Sequence, residues 1–456
     1  MRPHHTIYSL VLAVFLFASC KKFVQIPPSP LQIAGSDVFA DDQSATSALT
    51  DIFLNMSASG SGFSSINMTR LGGMYTDEMT YTRPQAAFQQ FEAGHLSNDN
   101  SSVAGTWQEI YTYIYQANSV IERLAGNKAV SPAVNRTLTA EALFVRAYCY
   151  FYLANLYGDV PLVLTTDYIR NQKLPRTPVA TVNAQIVSDL KASIGGLGPD
   201  GGAGHRVLPS DWAARSLLAR AYLYDGDFPN GFLYADSVIR SGLFPLASSL
   251  ANVFLAGSPE AIWQLAPYSD AIADTWEGYS FAPTRATVIP QYVLNNYLMN
   301  AFEPGDKRKT TWTGVNTVSG AAYYYPYKYR SRQHTGTESH MVFRSAELYL
   351  IRAECAAQTQ NTAGCIQDLN LLRSRAGLAP LADTTDAGFC LQAVMQERRV
   401  ELFAENGHRF FDLVRTKTAD AVLGPEKTNW TTDSKRWPVP LAELKTNPAL
   451  VQNQGY

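Results

Sequence analysis

The chain has 456 residues, 46% of them hydrophobic, and sets 37 Lys and Arg against 39 Asp and Glu for a formal charge of −2. That much apolar material buries a sizeable core and excludes wholesale disorder. The near-neutral balance leaves no electrostatic footprint for a nucleic-acid backbone. Tyr (25) outnumbers Phe (21), and Tyr is the aromatic that works half-wet at a recognition surface.

At the N terminus, Arg2 leads into the apolar run 7–18 (IYSLVLAVFLFA). It fits the apolar stretch of an export signal and is too short for the ~20 residues that a membrane-spanning helix needs. The run ends in Phe17-Ala18-Ser19-Cys20, which resembles the lipobox of bacterial lipoproteins, with Phe17 in place of the commoner Leu. Cleavage before Cys20 and lipidation of its thiol are expected, and several acyl chains at ~0.8 kcal/mol per buried CH2 hold a folded body at a membrane face. Residues 21–31 (KKFVQIPPSPL) carry three prolines and read as an extended tether.

From about Ser44 helical periodicity dominates. Trp107, Ile110, Tyr111, Ile114, Ala117, Asn118, Ile121 and Leu124 recur at three- and four-residue steps on one helix face. A second helix is predicted over 138–157, stopped by Gly158 and Pro161. Ser210 is a predicted N-cap, opening a helix pair that turns at 225–228 (DGDF), and a further pair spans 345–378 with Gly377 as its C-cap. Pairs of this length, with small residues at facing positions, resemble tetratricopeptide repeats. Two stretches break the pattern: 57–102, read as irregular and polar, and 257–335, rich in Gly, Pro and aromatics and read as loops with short strands. Cys149, Cys355, Cys365 and Cys390 fall in helical patterns as small core residues, and the sequence leaves a disulfide among them open. The tail, 437–456, is Pro-rich and predicted to wrap the body as extended chain.

The block 397–415 (ERRVELFAENGHRFFDLVR) reads as a helix presenting Val400, Phe403 and Ala404, stopped at Gly407, with Glu397, Arg398, Glu401 and Glu405 at i,i+4 spacing. Arg399 or Arg409 is expected to pair with Glu401, Glu405 or Asp412 as structural cement. The segments 146–163 (RAYCYFYLANLYGDVPLV) and 370–378 (NLLRSRAGL), this block and the ending 438–456 (PVPLAELKTNPALVQNQGY), in this order behind a lipobox, resemble the SusD/RagB family of outer-membrane nutrient-binding lipoproteins.

The fold expected is mostly α: a tetratricopeptide-like helical-repeat body with an irregular loop-rich insert and few short strands. Its parts are a signal peptide (1–19), the lipidated Cys20 and tether (20–43), an N-terminal helical part (44–256), an aromatic-rich ligand-facing insert (257–340) and a C-terminal part (341–456), all in one compact fold. The resemblance implies an outer-membrane, lipid-anchored protein facing outward that binds an oligosaccharide and hands it to a SusC-like TonB-dependent transporter. A peptide-binding member of the family and a helical-repeat interaction scaffold are the alternatives. No phosphate-binding loop, H-E-x-x-H or G-x-S-x-G is present. The expectation is a binder, with no enzymatic activity, metal or cofactor, although a distant carboxylate pair of glycosidase type stays open.

No family motif marks the ligand residues, so local composition supplies the candidates. A sugar ring exposes an apolar CH face ringed by hydroxyls, which suits an aromatic plane flanked by amides and guanidinium groups. From the insert these are Trp276, Tyr279, Trp312, Tyr323, Tyr324 and Tyr325; from the N-terminal irregular stretch, Tyr81, Arg83 and Asn98.

Overall fold

A computed structural model describes residues 36–198, 206–267 and 271–456. The signal peptide, Cys20 and the tether lie outside the described residues. About 55% of the described residues are helical, with few short strands among them. Nine longer helices form the body: α1 (Asp42–Ala58), α2 (Ser101–Leu124), α3 (Pro132–Tyr157), α4 (Val179–Ser193), α5 (Asp211–Asp225), α6 (Phe228–Arg240), α7 (Ser345–Gln358), α8 (Thr362–Ala376) and α9 (Ala387–Glu401).

Local chemistry sets their ends. Asp41 and Ser44 close a reciprocal capping box on α1, and Asn100 accepts from the Ser102 and Val103 amides at the start of α2. The Ser210 side chain caps α5 as expected, through the Ala213 amide. Pro132 opens α3 from N1, six residues earlier than the periodicity suggested, and Gly158 (φ 77°) ends it. Gly377 (φ 79°) terminates α8 as predicted.

From α2 to α8 each helix packs on its successor in sequence, the pattern of a helical-repeat stack. α3 is buried along almost its whole length. Between α6 and α7 the chain leaves this stack, builds the insert, and returns through strand β6 (His340–Arg344) directly into α7. β6 pairs antiparallel with β2 (Ala261–Leu265), and both strands are buried throughout. Trp263 on β2 is enclosed by Phe53, Phe144, Tyr148 and Phe343 at ring separations of 5.0 to 6.3 Å. The insert is therefore rooted in the same core as the helices.

Two further ladders shape the surface. β1 (Met79–Tyr81) pairs antiparallel with β3 (Tyr292–Leu294), placing Tyr81 opposite Tyr292. β4 (Thr313–Val318) and β5 (Ala321–Pro326) form a hairpin across Ser319 and Gly320, both at positive φ, as a two-residue type I′ connection requires.

Three sequence expectations are corrected. The stretch 57–102 holds a π-helical turn at Phe63–Asn67 and the helices Met68–Tyr75 and Ala86–Ala93, each too short to show periodicity. α9 stops at Glu401, so Phe403 and Ala404 lie beyond it. Ala404 (φ 50°), Asn406 (φ 48°) and Gly407 (φ 75°) then turn the chain into the helix His408–Arg415. Arg399 and Arg409 both pair with Asp77, Arg409 Nε at 2.7 Å, because the Met68–Tyr75 helix packs on His408–Arg415. Gly72 lies against Gly407 so closely that a Cβ there would stand 2.8 Å from the Gly407 Cα. Cys149, Cys355, Cys365 and Cys390 are buried free thiols, which resolves the open disulfide question for these four.

The acidic residues of the 397–405 block accept from other elements rather than along their own helix. Arg344 reaches Glu401 at 2.7 Å and Glu405 at 2.8 Å. Arg308 spans Asp306, Glu397 and Glu401 at 2.8 to 3.1 Å, and Lys328 donates to Glu405 at 2.5 Å. All these side chains are buried. Burial alone would raise the Glu401 and Glu405 carboxyls, but the surrounding cations hold both below the usual range.

Candidate functional site

The β1–β3 ladder draws two segments that are distant in sequence to one place: 57–109, including the N-terminal turns of α2, and 280–292 of the insert. Between them lies a cleft of about 700 Å³. Its walls carry Gly60, Ser61, Arg70, Tyr81, Gln85 and Gln291, closed at the α2 side by Ser102 and Glu109.

Tyr81 supplies a half-buried ring, held edge-on to Phe88 at 5.1 Å and tilted on Tyr292 at 4.9 Å. Arg70 lies over the Phe88 ring at 5.2 Å, and its Nε donates to Asn67 Oδ1 at 2.9 Å. These contacts fix the guanidinium in the cleft wall. Glu109 accepts from the Phe63 amide at 2.6 Å and from the Tyr113 hydroxyl at 3.4 Å. Burial pushes its carboxyl up to about 7, so near neutral pH it is available both as acceptor and as donor to a hydroxyl. The result is a wall of aromatic rings, one fixed cation, amides, hydroxyls and a carboxyl raised by burial.

The predicted residues distribute unevenly around this cleft. Tyr81 stands in its wall, and Arg83 lies on the exposed segment between Tyr81 and Gln85, with no hydrogen bond or ion pair to its guanidinium among the described residues. Trp276 and Tyr279 sit behind the wall. Trp276 Nε1 donates to the Ser57 carbonyl at 3.1 Å, and a Cβ on Gly60 would come 2.8 Å from the indole. The tryptophan therefore seats the 57–62 loop. Tyr279 packs edge-on to Trp276 at 5.8 Å and lies under Arg332 at 4.6 Å.

Trp312 is corrected outright as a ligand face. It is 1% exposed, its Nε1 donates to the Leu250 carbonyl at 2.9 Å, and Lys328 Nζ lies 4.8 Å from its ring. Its function in the fold is to floor the buried cation cluster. Tyr325, 9% exposed and packed against Gly314, is likewise internal. Tyr323 and Tyr324 are half-buried on β5, which braces β3 from outside the cleft. Asn98 is elsewhere: its carbonyl accepts from the Leu441 amide at 2.8 Å and anchors the tail. Sequence reasoning missed Arg70, Gln85, Glu109 and Gln291. Only the Gly60–Gly62 spacing carried a trace of the site, since glycines bring backbone close to a neighbour.

The architecture is that of a helical-repeat binding protein with a lateral polar cleft. The chain belongs to the SusD family. The model described as "SusD family" matches residues 273–456, and one described as "Starch-binding associating with outer membrane" matches 37–223. Among curated relatives, SusD-like protein P25 of Formosa agariphila is 26% identical over 431 residues, covering 79% of this chain and 81% of the relative. A SusD superfamily protein from Bacteroides vulgatus superposes with a TM-score of 0.82 at 20% identity, covering 92% of this chain and 100% of the other. A laminarin binding SusD-like protein superposes with a TM-score of 0.76 at 22% identity, covering 91% and 99%. The family description associates its members with the outer membrane and with starch binding.

Proposed function

We propose that this protein is a lipid-anchored receptor on the outer face of the outer membrane that holds an oligosaccharide or polysaccharide in the Tyr81 cleft and passes it to a SusC-like TonB-dependent transporter. The observation that carries this reading is the cleft itself, in which an aromatic ring, a fixed guanidinium and neutral polar groups face one space of about 700 Å³. Such a lining matches the alternating apolar and hydroxylated faces of a sugar. Membership of a family whose model is described as starch-binding, and structural likeness to a laminarin-binding protein, favour the same ligand class. Among the described residues no helix is long and apolar enough to cross a membrane; the attachment proposed here is through a lipid on Cys20.

Affinity electrophoresis against a polysaccharide panel that includes laminarin and soluble starch tests the binding step. At least one polymer retards the wild type, and Tyr81→Ala or Arg70→Ala weakens retention about tenfold, ~1.4 kcal/mol, at unchanged melting temperature. Equal retention of wild type and both variants would reject the cleft. Mild detergent extraction from the native envelope tests the delivery step: co-purification with a large barrel protein is expected, and repeated recovery as a lone species counts against it.

A further inference from the structure

Helix α2 has a second groove on its other flank. Trp107, Tyr111 and Tyr115 follow one another at i, i+4 and i+8, one step being about 6 Å along the axis, and Tyr168 stands beside them across a hollow of about 590 Å³. The rings become progressively more open along this line: Trp107 is buried, Tyr111 is half-buried with its hydroxyl donating to the Pro161 carbonyl at 2.8 Å, Tyr115 is 37% exposed and Tyr168 73% exposed. Gln108, Gln172 and Asn447 bring amides to the same hollow, and Glu443 is the one ionisable carboxyl in its lining, raised by burial. Among the described residues no Lys, Arg or Asp lines it. Open tyrosine faces with neutral amides and a single carboxyl suit an uncharged sugar chain better than a charged protein surface.

A ridge of α2 separates this groove from the Tyr81 cleft. It runs along Ser101, Gly105, Gln108, Thr112 and Tyr115, which share the solvent side of α2. Gly105 weakens a helix interior relative to alanine, yet a Cβ there would meet nothing within 4 Å. Internal packing thus gives no reason for a glycine at this position. Gly105 lines the cleft, while its neighbours Trp107 and Gln108 line the groove.

We infer that the Tyr111–Tyr115–Tyr168 groove is a second subsite for the same glycan, reached from the cleft across the bare backbone of Gly105, so that the protein selects long chains over short ones. This inference rests on the cleft reading above. Each subsite holds its own stretch of one polymer, and occupation of the first raises the effective concentration at the second.

The test uses the full mature protein, the panel polysaccharide that most retards the wild type, and its trisaccharide. The Tyr115→Ala/Tyr168→Ala pair is expected to weaken polymer retention by roughly tenfold while trisaccharide affinity, read by calorimetry, stays as in wild type. Gly105→Leu is expected to raise the melting temperature slightly and yet lower polymer retention, an outcome that loss of folding cannot produce. Polymer retention unaffected by the Tyr pair and by Gly105→Leu, with Tyr81→Ala still defective, overturns the second subsite and leaves the cleft standing. If Tyr81→Ala and Arg70→Ala both bind as wild type, or no panel member retards the wild type, the cleft reading itself falls and takes the subsite with it.

Discussion

Trp312 and Tyr81 show what a single aromatic residue reveals before its surroundings are known. Both sit in polar, irregular sequence, and composition alone gives them equal standing. Trp312 proves internal because Lys328 and Leu250 enclose it, contacts that only the folded chain creates. Trp312→Ala should therefore cost about 3–5 kcal/mol in urea unfolding, whereas Trp276→Ala should chiefly reduce carbohydrate retention by unseating the 57–62 loop. A Trp312 variant of native stability would refute the placement. Glu141 offers a second test. Burial pushes its carboxyl up from 4.5 to about 7, so between those values the folded chain retains a proton that the unfolded chain has released. This contribution makes stability fall as pH rises through that window, and the full penalty persists above it. Glu141→Gln should accordingly gain about 1–3 kcal/mol at pH 8 and almost nothing at pH 4. A difference that does not vary with pH would dismiss the burial argument.

Among the elements, the longer helices were legible because period and caps agree: Ser210 and Gly377 act where they were expected. What stayed illegible depends on long-range pairing. No spacing rule connects Asp77 with Arg399 and Arg409, or Met79–Tyr81 with Tyr292–Leu294, and the cleft exists only because that ladder forms. The carboxylates of 397–405 were recognised as structural cement, but their partners come from β6, from α8 and from the insert. Arg344→Met should cost about 3–5 kcal/mol, since it leaves Glu401 and Glu405 short of a buried counter-charge; a loss below ~1 kcal/mol would show that the neighbouring cations compensate. Gly60→Ala acts on a loop instead. Its new methyl group displaces the loop from the Trp276 indole, and glycan retention should fall while the melting temperature drops by only a few degrees. Retention equal to wild type would show that the loop does not shape the cleft.

Over the whole molecule, the last residues complete structure begun by the first. Trp437, 1% exposed, wedges edge-on to Tyr75, Phe91 and Tyr157, and its amide donates to the Leu156 carbonyl at 2.7 Å. Asn453 donates to the Tyr157 carbonyl at 2.8 Å, and Tyr456 stacks on His95 at 5.3 Å. The tail, predicted as extended chain, instead forms a short helix at Leu441–Thr446 on its way across the body, and it contributes a core residue as well. Truncation after Arg436 should convert a sharp thermal transition into a broad one and expose the N-terminal helices to limited proteolysis; a sharp transition in the truncated chain would show the tail to be dispensable. Closure of this kind also dictates timing. Tyr75 and Phe91 wait for the Trp437 ring until a segment far along the chain has docked, so a Trp437 emission change should be the last signal to settle when the chain refolds.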